Sequence, residues 1–443
     1  MTRFHIVGIG GAGMSAIGRV LMERGHSVTG SDSGRWPLSE GLARDGAAVY
    51  ETFAADHVPG AEVVIRSSAY KEDNVEVRAA RERGLPVWTR HEAWRYLTKE
   101  HRVVAIAGTH GKSTTTAMTW LGLRAGGIDA SLICGAALRG TGINGHAGAS
   151  NVFVIEADEY DRTFLVLRPE VEVVTTVDHD HVDVFPTREA YRDAFVNFVA
   201  GRAPEGWLIA CADDPGARSL ADHARDVERA KNVLTYGRDA SADVRLKEIG
   251  PQAYELAGRP FALGVPGWHN ALNASAAILV ADHFGAPADK VISRGLAEFA
   301  GVERRLERLG AAGNITVVDD YAHHPAEIAA GLDAYGEKAA VVVFQPHTPS
   351  RLAAFFDEFA AVLRRPRAVV IVETFRSARE QADPHGRARL LADAVGGRYA
   401  RDGETAAHFA AELARPGDTV LVMGAGDVRP VGERVLELLR TPV

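Results

Sequence analysis

The chain has little cysteine: Cys134 and Cys211 are its only two in 443 residues, and both lie in apolar surroundings. That excludes a disulfide framework and fits a reducing compartment, with the thiols packing as small hydrophobes. No apolar run is long enough to span a bilayer, so no membrane partner is expected. Positive charge is not in excess either. Fifty Lys and Arg against 58 Asp and Glu give a net charge of −8, which leaves no basic footprint for nucleic acid. Met1–Val7 runs straight into a strand with no signal-peptide pattern, and a cytoplasmic location is expected. Short-period repeats and low-complexity segments are also missing. Not one lysine stands between Lys112 and Lys231, so a lysine carbamate holding a metal cannot come from that stretch.

What is present is a globular composition, 46% hydrophobic and 24% charged, on a chain long enough for two to four domains. Its centre of gravity is Val103–Thr116. A β-branched run ends at Gly108, turns through Thr109-His110-Gly111-Lys112-Ser113 and enters Thr114 and a helix reaching Ala125. Strand, glycine loop and helix in that order cradle a polyphosphate on backbone N–H groups and a helix N-terminus. Lys112 would then reach the β- and γ-phosphates, and the Ser113 hydroxyl would sit on Mg²⁺; an ordinary glycine turn is the less favoured reading. The loop is shorter than G-x-x-x-x-G-K-[ST], because Ile106 stands five residues before Gly111.

A second glycine loop opens the chain. Phe4–Val7 leads into Gly8-Ile9-Gly10-Gly11-Ala12-Gly13-Met14-Ser15, a helix to Gly25, and a strand closing at Asp32. This is the G-x-G-x-x-G fingerprint with an acid about twenty residues on. A nucleotide diphosphate of any kind satisfies its physics. Strand-like runs at Val63–Ile65 and Pro86–Trp88 complete a first α/β domain over residues 1–98. The second, 99–301, alternates strands and helices, with runs at 131–134, 151–155, 171–177, 207–211 and 233–236, and a glycine-rich loop over 138–150. The third, 302–443, restarts the pattern with strands at 315–318, 340–344, 369–372 and 419–423. Three α/β domains with mostly parallel sheets are therefore expected.

Chemistry-bearing residues cluster at strand ends. Glu156 emerges first from 151–155 and is the candidate carboxylate for Mg²⁺, which keeps its waters and takes few protein oxygens. Glu159 reads as a solvated turn acid; Asp158 stays open between the two roles. Asp178-His179-Asp180-His181-Val182-Asp183 could hold a transition metal, a second divalent ion or a substrate amine, with His181 its strongest member. Asn270 and Asn273, three apart on one helix face, read a base edge or, for Asn270, cap the helix. Arg305 offers a guanidinium to a transferring phosphate and Asp320 a carboxylate to a ribose. His347, Arg351 and Arg379 could grip a small carboxylate; each alone is more often a surface residue, and their shared position after strands favours the site.

Taken together, these stretches resemble the Mur ligase family of ATP-dependent amide-forming enzymes. The likeness runs over nearly the whole chain, through Gly8–Ser15, Ser67-Ser68-Ala69, Gly108–Thr115, Glu156–Asp161, Asp180-His181, Gly267–Ala274, Arg304–Glu307, Asp319–Pro325, Phe344–Arg351 and Gly424–Asp427. It is strongest with the branch that adds L-alanine to UDP-N-acetylmuramate; the branch that adds a preformed tripeptide in murein recycling is the nearest competitor.

The resemblance implies a Rossmann-like first domain holding UDP through Gly10, Gly11, Ala12, Gly13, Met14, Ser15, Asp32, Ser68 and His110. It implies a central P-loop domain binding ATP through Gly108–Thr114 (His110 included), Asn270, Asn273, Arg305 and Asp320. Two Mg²⁺ ions would be held by Ser113, Glu156 and His181. A Rossmann-like third domain would hold the amino acid through Tyr321, His323, His347, Arg351 and Arg379. Lys112, Glu156, His181 and Arg305 would carry the chemistry, with Arg305 and Asp320 meeting ATP on domain closure. A monomer or homodimer is expected. Thr176 stands where the family often has Asn, Pro349 interrupts Phe-Gln-Pro-His-x-Tyr-Ser-Arg, and Ser113 conservatively replaces Thr. The alternative from another class is a nicotinamide-dependent dehydrogenase with a regulatory ATP site, and a third is a non-catalytic nucleotide-gated binding protein.

Overall fold

In the computed structural model, residues 1–336, 340–375, 383 and 385–440 are described. Three sheets carry the fold. The first has five parallel strands in the order Ala48–Tyr50, Ser27–Ser31, Arg3–Val7, Val63–Arg66, Val87–Trp88. The chain starts at the centre, builds outward on one side, then crosses to the other. The turns after Val7 and Arg66 therefore face a crevice at the strands' carboxyl ends, where α/β sheets place ligands.

The second sheet has ten strands. Its order is Arg259–Ala262, Ala253–Leu256, Val244–Gly250, Val233–Gly237, Trp207–Cys211, Val171–Val174, Arg102–Ala107, Val152–Glu156, Ser131–Leu138, Ile143–His146. Its interior is parallel, and Val103–Ala107 is wholly buried, which is why that run is apolar without alternation.

Both flanks are antiparallel, and both escape a reading of apolar periodicity. Val244–Ala262 is a half-exposed meander with charges in the strands themselves. The glycine-rich stretch 138–150 is corrected more sharply. It is not simply a loop, for Ile143–His146 is an edge strand packed beside the helix Ala12–Glu23. Gly145 allows that approach: a Cβ there would lie 2.5 Å from the Ala16 carbonyl oxygen.

The third sheet runs Glu307–Ala312, Ile315–Asp320, Thr419–Met423, Ala340–Phe344, Ala368–Val372, Arg398–Ala400, parallel except for its first strand. Alternate residues feed the two helical layers: Val318, Leu421 and Phe344 face one, Val317, Val422 and Val343 the other.

By packing, the chain forms two compact units. Residues 1–179, 188–265 and 270–302 make the first, and 180–187, 266–269 and 303–443 the second. No helix among the described residues is long and apolar enough to cross a membrane.

Replacing Gly145 by Val would drive a branched side chain into backbone. A loss of about 2 kcal/mol in urea unfolding is expected, and unchanged stability would show that the strand and helix can separate without cost.

Candidate active site

The phosphate loop begins where the strand Arg102–Ala107 meets Gly108. Gly108 has φ +137°, and a Cβ there would lie 2.1 Å from Thr175 Oγ1. Gly111, also left-handed, caps the helix Lys112–Ala125. The neighbouring strand end fastens the loop. Thr109 Oγ1 donates to the Asp178 carbonyl at 2.8 Å, and the His110 N–H donates to Thr176 Oγ1 at 2.8 Å. Thr176, the residue that departs from the family's Asn, thus anchors the loop backbone.

Lys112 Nζ is bonded to the Gly108 and Thr109 carbonyls at 2.5 and 3.1 Å and ion-paired to Glu159 at 3.0 Å. Glu159 is 0% exposed, and Tyr191 Oη donates to it at 3.1 Å. This overturns the expectation of a solvated turn acid. The carboxylate is buried because it neutralises a buried lysine. Desolvation alone would lower the Lys112 pKa, but Glu159, then Asp158 and Glu156, outweigh it and hold the ammonium charged.

Ser113 Oγ donates to Glu156 at 3.0 Å, and the Gly135 N–H donates to the same carboxylate at 2.6 Å. Burial raises the Glu156 pKa, with Lys112 the largest opposing influence. One hydroxyl and one carboxylate in contact beside a phosphate loop are a donor set that fits Mg²⁺.

Across the loop, Asn273 Oδ1 accepts from Thr115 Oγ1 at 3.0 Å, and Asn270 lies beside it, 3.4 Å from Asn273 Nδ2. Asn270 is inside the helix Trp268–His283, not at its cap.

At the first glycine loop, the Gly10 N–H donates to Asp32 at 2.8 Å and Tyr70 Oη donates to Asp32 at 3.0 Å. Met14 and Ser15 are buried in the first helical turn, and Ser68 sits half-buried in the turn after Val63–Arg66. Sequence reasoning missed two neighbours. Asn144 donates to the Ala12 carbonyl at 2.8 Å and to Ser15 Oγ at 3.0 Å. Arg90 approaches Gly13 and pairs with Asp158 at 2.9 Å and Asp161 at 3.2 Å, so Asp158 is held by an arginine.

The second unit gathers Tyr321, His323, His347 and Arg351 with Asp180 and His181. The His323 and Tyr321 rings stand 5.3 Å apart, and those of His323 and His347 6.3 Å. Arg351 pairs with the buried Asp180 at 2.8 Å and bonds to the His347 carbonyl at 2.6 Å. Desolvation would raise the Asp180 pKa; Arg351, then His181 and His323, carry it well below the usual carboxylate range.

Glu327, unread in the sequence, joins Arg305 at 3.1 Å and the His323 N–H at 2.9 Å. Asp320 accepts the Ala322 N–H at 2.9 Å. Arg379 lies outside the described residues. At the sheet's carboxyl edge a crevice of about 680 Å³ is lined by Gln345, Thr374, Phe375, Arg401, Asp427 and Arg434 among others.

A Gly-Lys-Ser loop between strand and helix, a second glycine-rich loop and three α/β sheets are the framework of a nucleotide-dependent enzyme. The chain belongs to the Mur ligase family. Residues 3–102 match the model described as Mur ligase family, catalytic domain, 106–281 the Mur ligase middle domain, and 304–426 the Mur ligase, glutamate ligase domain. The UDP-N-acetylmuramate–L-alanine ligase of Thermobifida fusca is 42% identical, over 99% of this chain and 96% of its own. The UDP-N-acetylmuramate-alanine ligase of Thermotoga maritima shares the fold at a TM-score of 0.81 and 26% identity, over 99% of both chains. A murein peptide ligase from Psychrobacter arcticus shares the fold at 0.76 and 23%, over 100% of both. Family membership displaces the dehydrogenase alternative.

Removing the Glu159 charge takes away the largest of the three carboxylates that compensate Lys112. Glu159→Gln should cost about 3 kcal/mol in urea unfolding, and an unchanged midpoint would mean the pair adds nothing.

A second expectation concerns pH. Burial, then Arg305, lowers His269 to about 4; burial also lowers His323 to about 3. Below their ordinary value of 6.5 the unfolded chain takes up protons that the fold refuses, so these two groups make stability fall on acidification. Asp320 is raised to about 7 by burial, against Arg305, so its contribution falls as pH rises from 3.8 to about 7. The windows overlap and oppose. Thermal unfolding of Asp320→Asn should therefore drop more steeply than wild type from pH 7 to 4, and that of His323→Gln less steeply. Parallel curves would refute the assignment.

Proposed function

We propose that this chain joins L-alanine to UDP-N-acetylmuramate at the expense of ATP, releasing ADP and phosphate, as a cytoplasmic step of peptidoglycan biosynthesis. Full-length likeness to a ligase of that name carries this reading, and the Lys112, Ser113 and Glu156 constellation supports it. The sugar's lactyl carboxylate attacks the γ-phosphorus and expels ADP. The alanine amine then attacks the acyl carbon of the resulting acyl-phosphate and expels phosphate.

The N–H groups of Gly108–Ser113 cradle the phosphates, and Lys112 turns from its loop carbonyls to the β- and γ-oxygens. Ser113 and Glu156 would hold one magnesium ion and His181 a second. When bound, the ions spread the charge developing on the transferring group. Glu159 keeps Lys112 protonated for that task. Asn270 and Asn273 border the loop where adenosine would leave it. No residue need become a covalent nucleophile.

The test is phosphate release from ATP and Mg²⁺ with UDP-N-acetylmuramate, adding L-alanine, glycine, L-serine or L-Ala-γ-D-Glu-meso-diaminopimelate separately. Release with L-alanine is expected, and Lys112→Ala should lower it by a factor on the order of 10² to 10³. Release with the tripeptide alone would move the chain to the recycling branch, and silence with every amine would overturn the proposal.

A further inference from the structure

The strand Ser27–Ser31 ends beside Asp32, and four residues on stands Trp36, a large apolar side chain that is 46% exposed. Its backbone is fixed. Trp36 precedes the helix Pro37–Arg44, and its carbonyl accepts from the Glu40 N–H and from Ser39 Oγ, both at 2.9 Å. Its indole lies on the glycine loop itself. A Cβ added to Gly10 would fall 2.3 Å from Trp36 Cδ1 and 2.9 Å from Asp32 Oδ2.

Gly10 therefore provides bare backbone on which an aromatic ring rests, next to the acid that closes the fingerprint. In a nucleotide fold of this type the diphosphate meets the glycine loop, and the nucleoside extends toward the acid after the second strand. The base then lies past Asp32, where the chain places a half-exposed indole. A half-exposed indole so placed can stack on a base, because every base offers a π-face.

We propose that Trp36 stacks on the uracil of the sugar nucleotide and is a specificity-determining residue of the nucleotide site. This rests on the reading that the first domain holds the UDP moiety. Trp36 adds planarity as a criterion, over and above the diphosphate recognised by the loop.

The test pairs variants with a ligand that cannot stack. UDP-N-acetylmuramate and its 5,6-dihydrouridine analogue, whose ring is puckered, are compared by calorimetry and in the phosphate-release assay. Wild type should bind the dihydro analogue about tenfold more weakly, the scale of one base–aromatic stack. Trp36→Ala should raise KM for UDP-N-acetylmuramate by about the same factor and lose the discrimination, with kcat and the KM values for ATP and L-alanine unchanged. Trp36→Phe should recover most of both. A structural role alone would weaken both ligands equally and keep their ratio.

Equal binding of the two nucleotides by wild type overturns the stacking proposal without recourse to any variant, as does full discrimination in Trp36→Ala. If wild type binds neither UDP-N-acetylmuramate nor UDP, the reading of the first domain falls, and this inference with it.

Discussion

A largely buried lysine stays charged when the protein supplies the opposite charge, and Glu159 supplies the nearest one to Lys112. Much of the surrounding architecture serves that pair. Tyr191 comes from the helix Arg188–Ala200 to donate to Glu159, and its Oη stands 2.9 Å from Thr109 Oγ1, so one hydroxyl sits between the counter-ion and the loop. Thr175 and Thr176 bind the loop from the next strand, and Gly108 leaves the space they need. The loop is thus preorganised with its cation in place, and electrostatic stabilisation of a transferring phosphoryl group depends on such preorganisation.

The second unit follows the same principle with different residues. Asp180 is buried against Arg351, and Glu327 ties Arg305 to the turn carrying His323. Arg351 was expected to grip a substrate carboxylate. In the structure its guanidinium spans Asp180 and the His347 carbonyl, and so holds the His181 segment beside the imidazoles. His323 there is kept neutral by burial, which suits it to accept or coordinate, and makes it an acid-side liability for the fold.

Much of the plan is written locally. The two glycine loops can be read because each is a continuous stretch, strand then turn then helix, whose form follows from its own residues. The parallel strands can be read because burial on both faces makes them continuous apolar runs. The edge strand Ile143–His146 and the flanking strand Val244–Gly250 could not be read the same way, since the first lies in a glycine-rich stretch and the second carries charges at three of its seven positions. An edge strand needs only one partner and little apolar burial, so its sequence bears a weak imprint of its state.

By itself, then, the sequence determined the α/β class, the strand, glycine loop and helix that carry Lys112 and Ser113, and the emergence of Glu156 at a strand end. Tertiary structure alone decided which charges face one another. Glu159 pairs with a lysine 47 residues away, Asn144 reaches Ala12 across 132, and Arg351 meets Asp180 across 171. No local pattern encodes such separations. An acid in a turn is solvated or buried according to what the rest of the chain brings to it, and only the assembled sheets fix that choice.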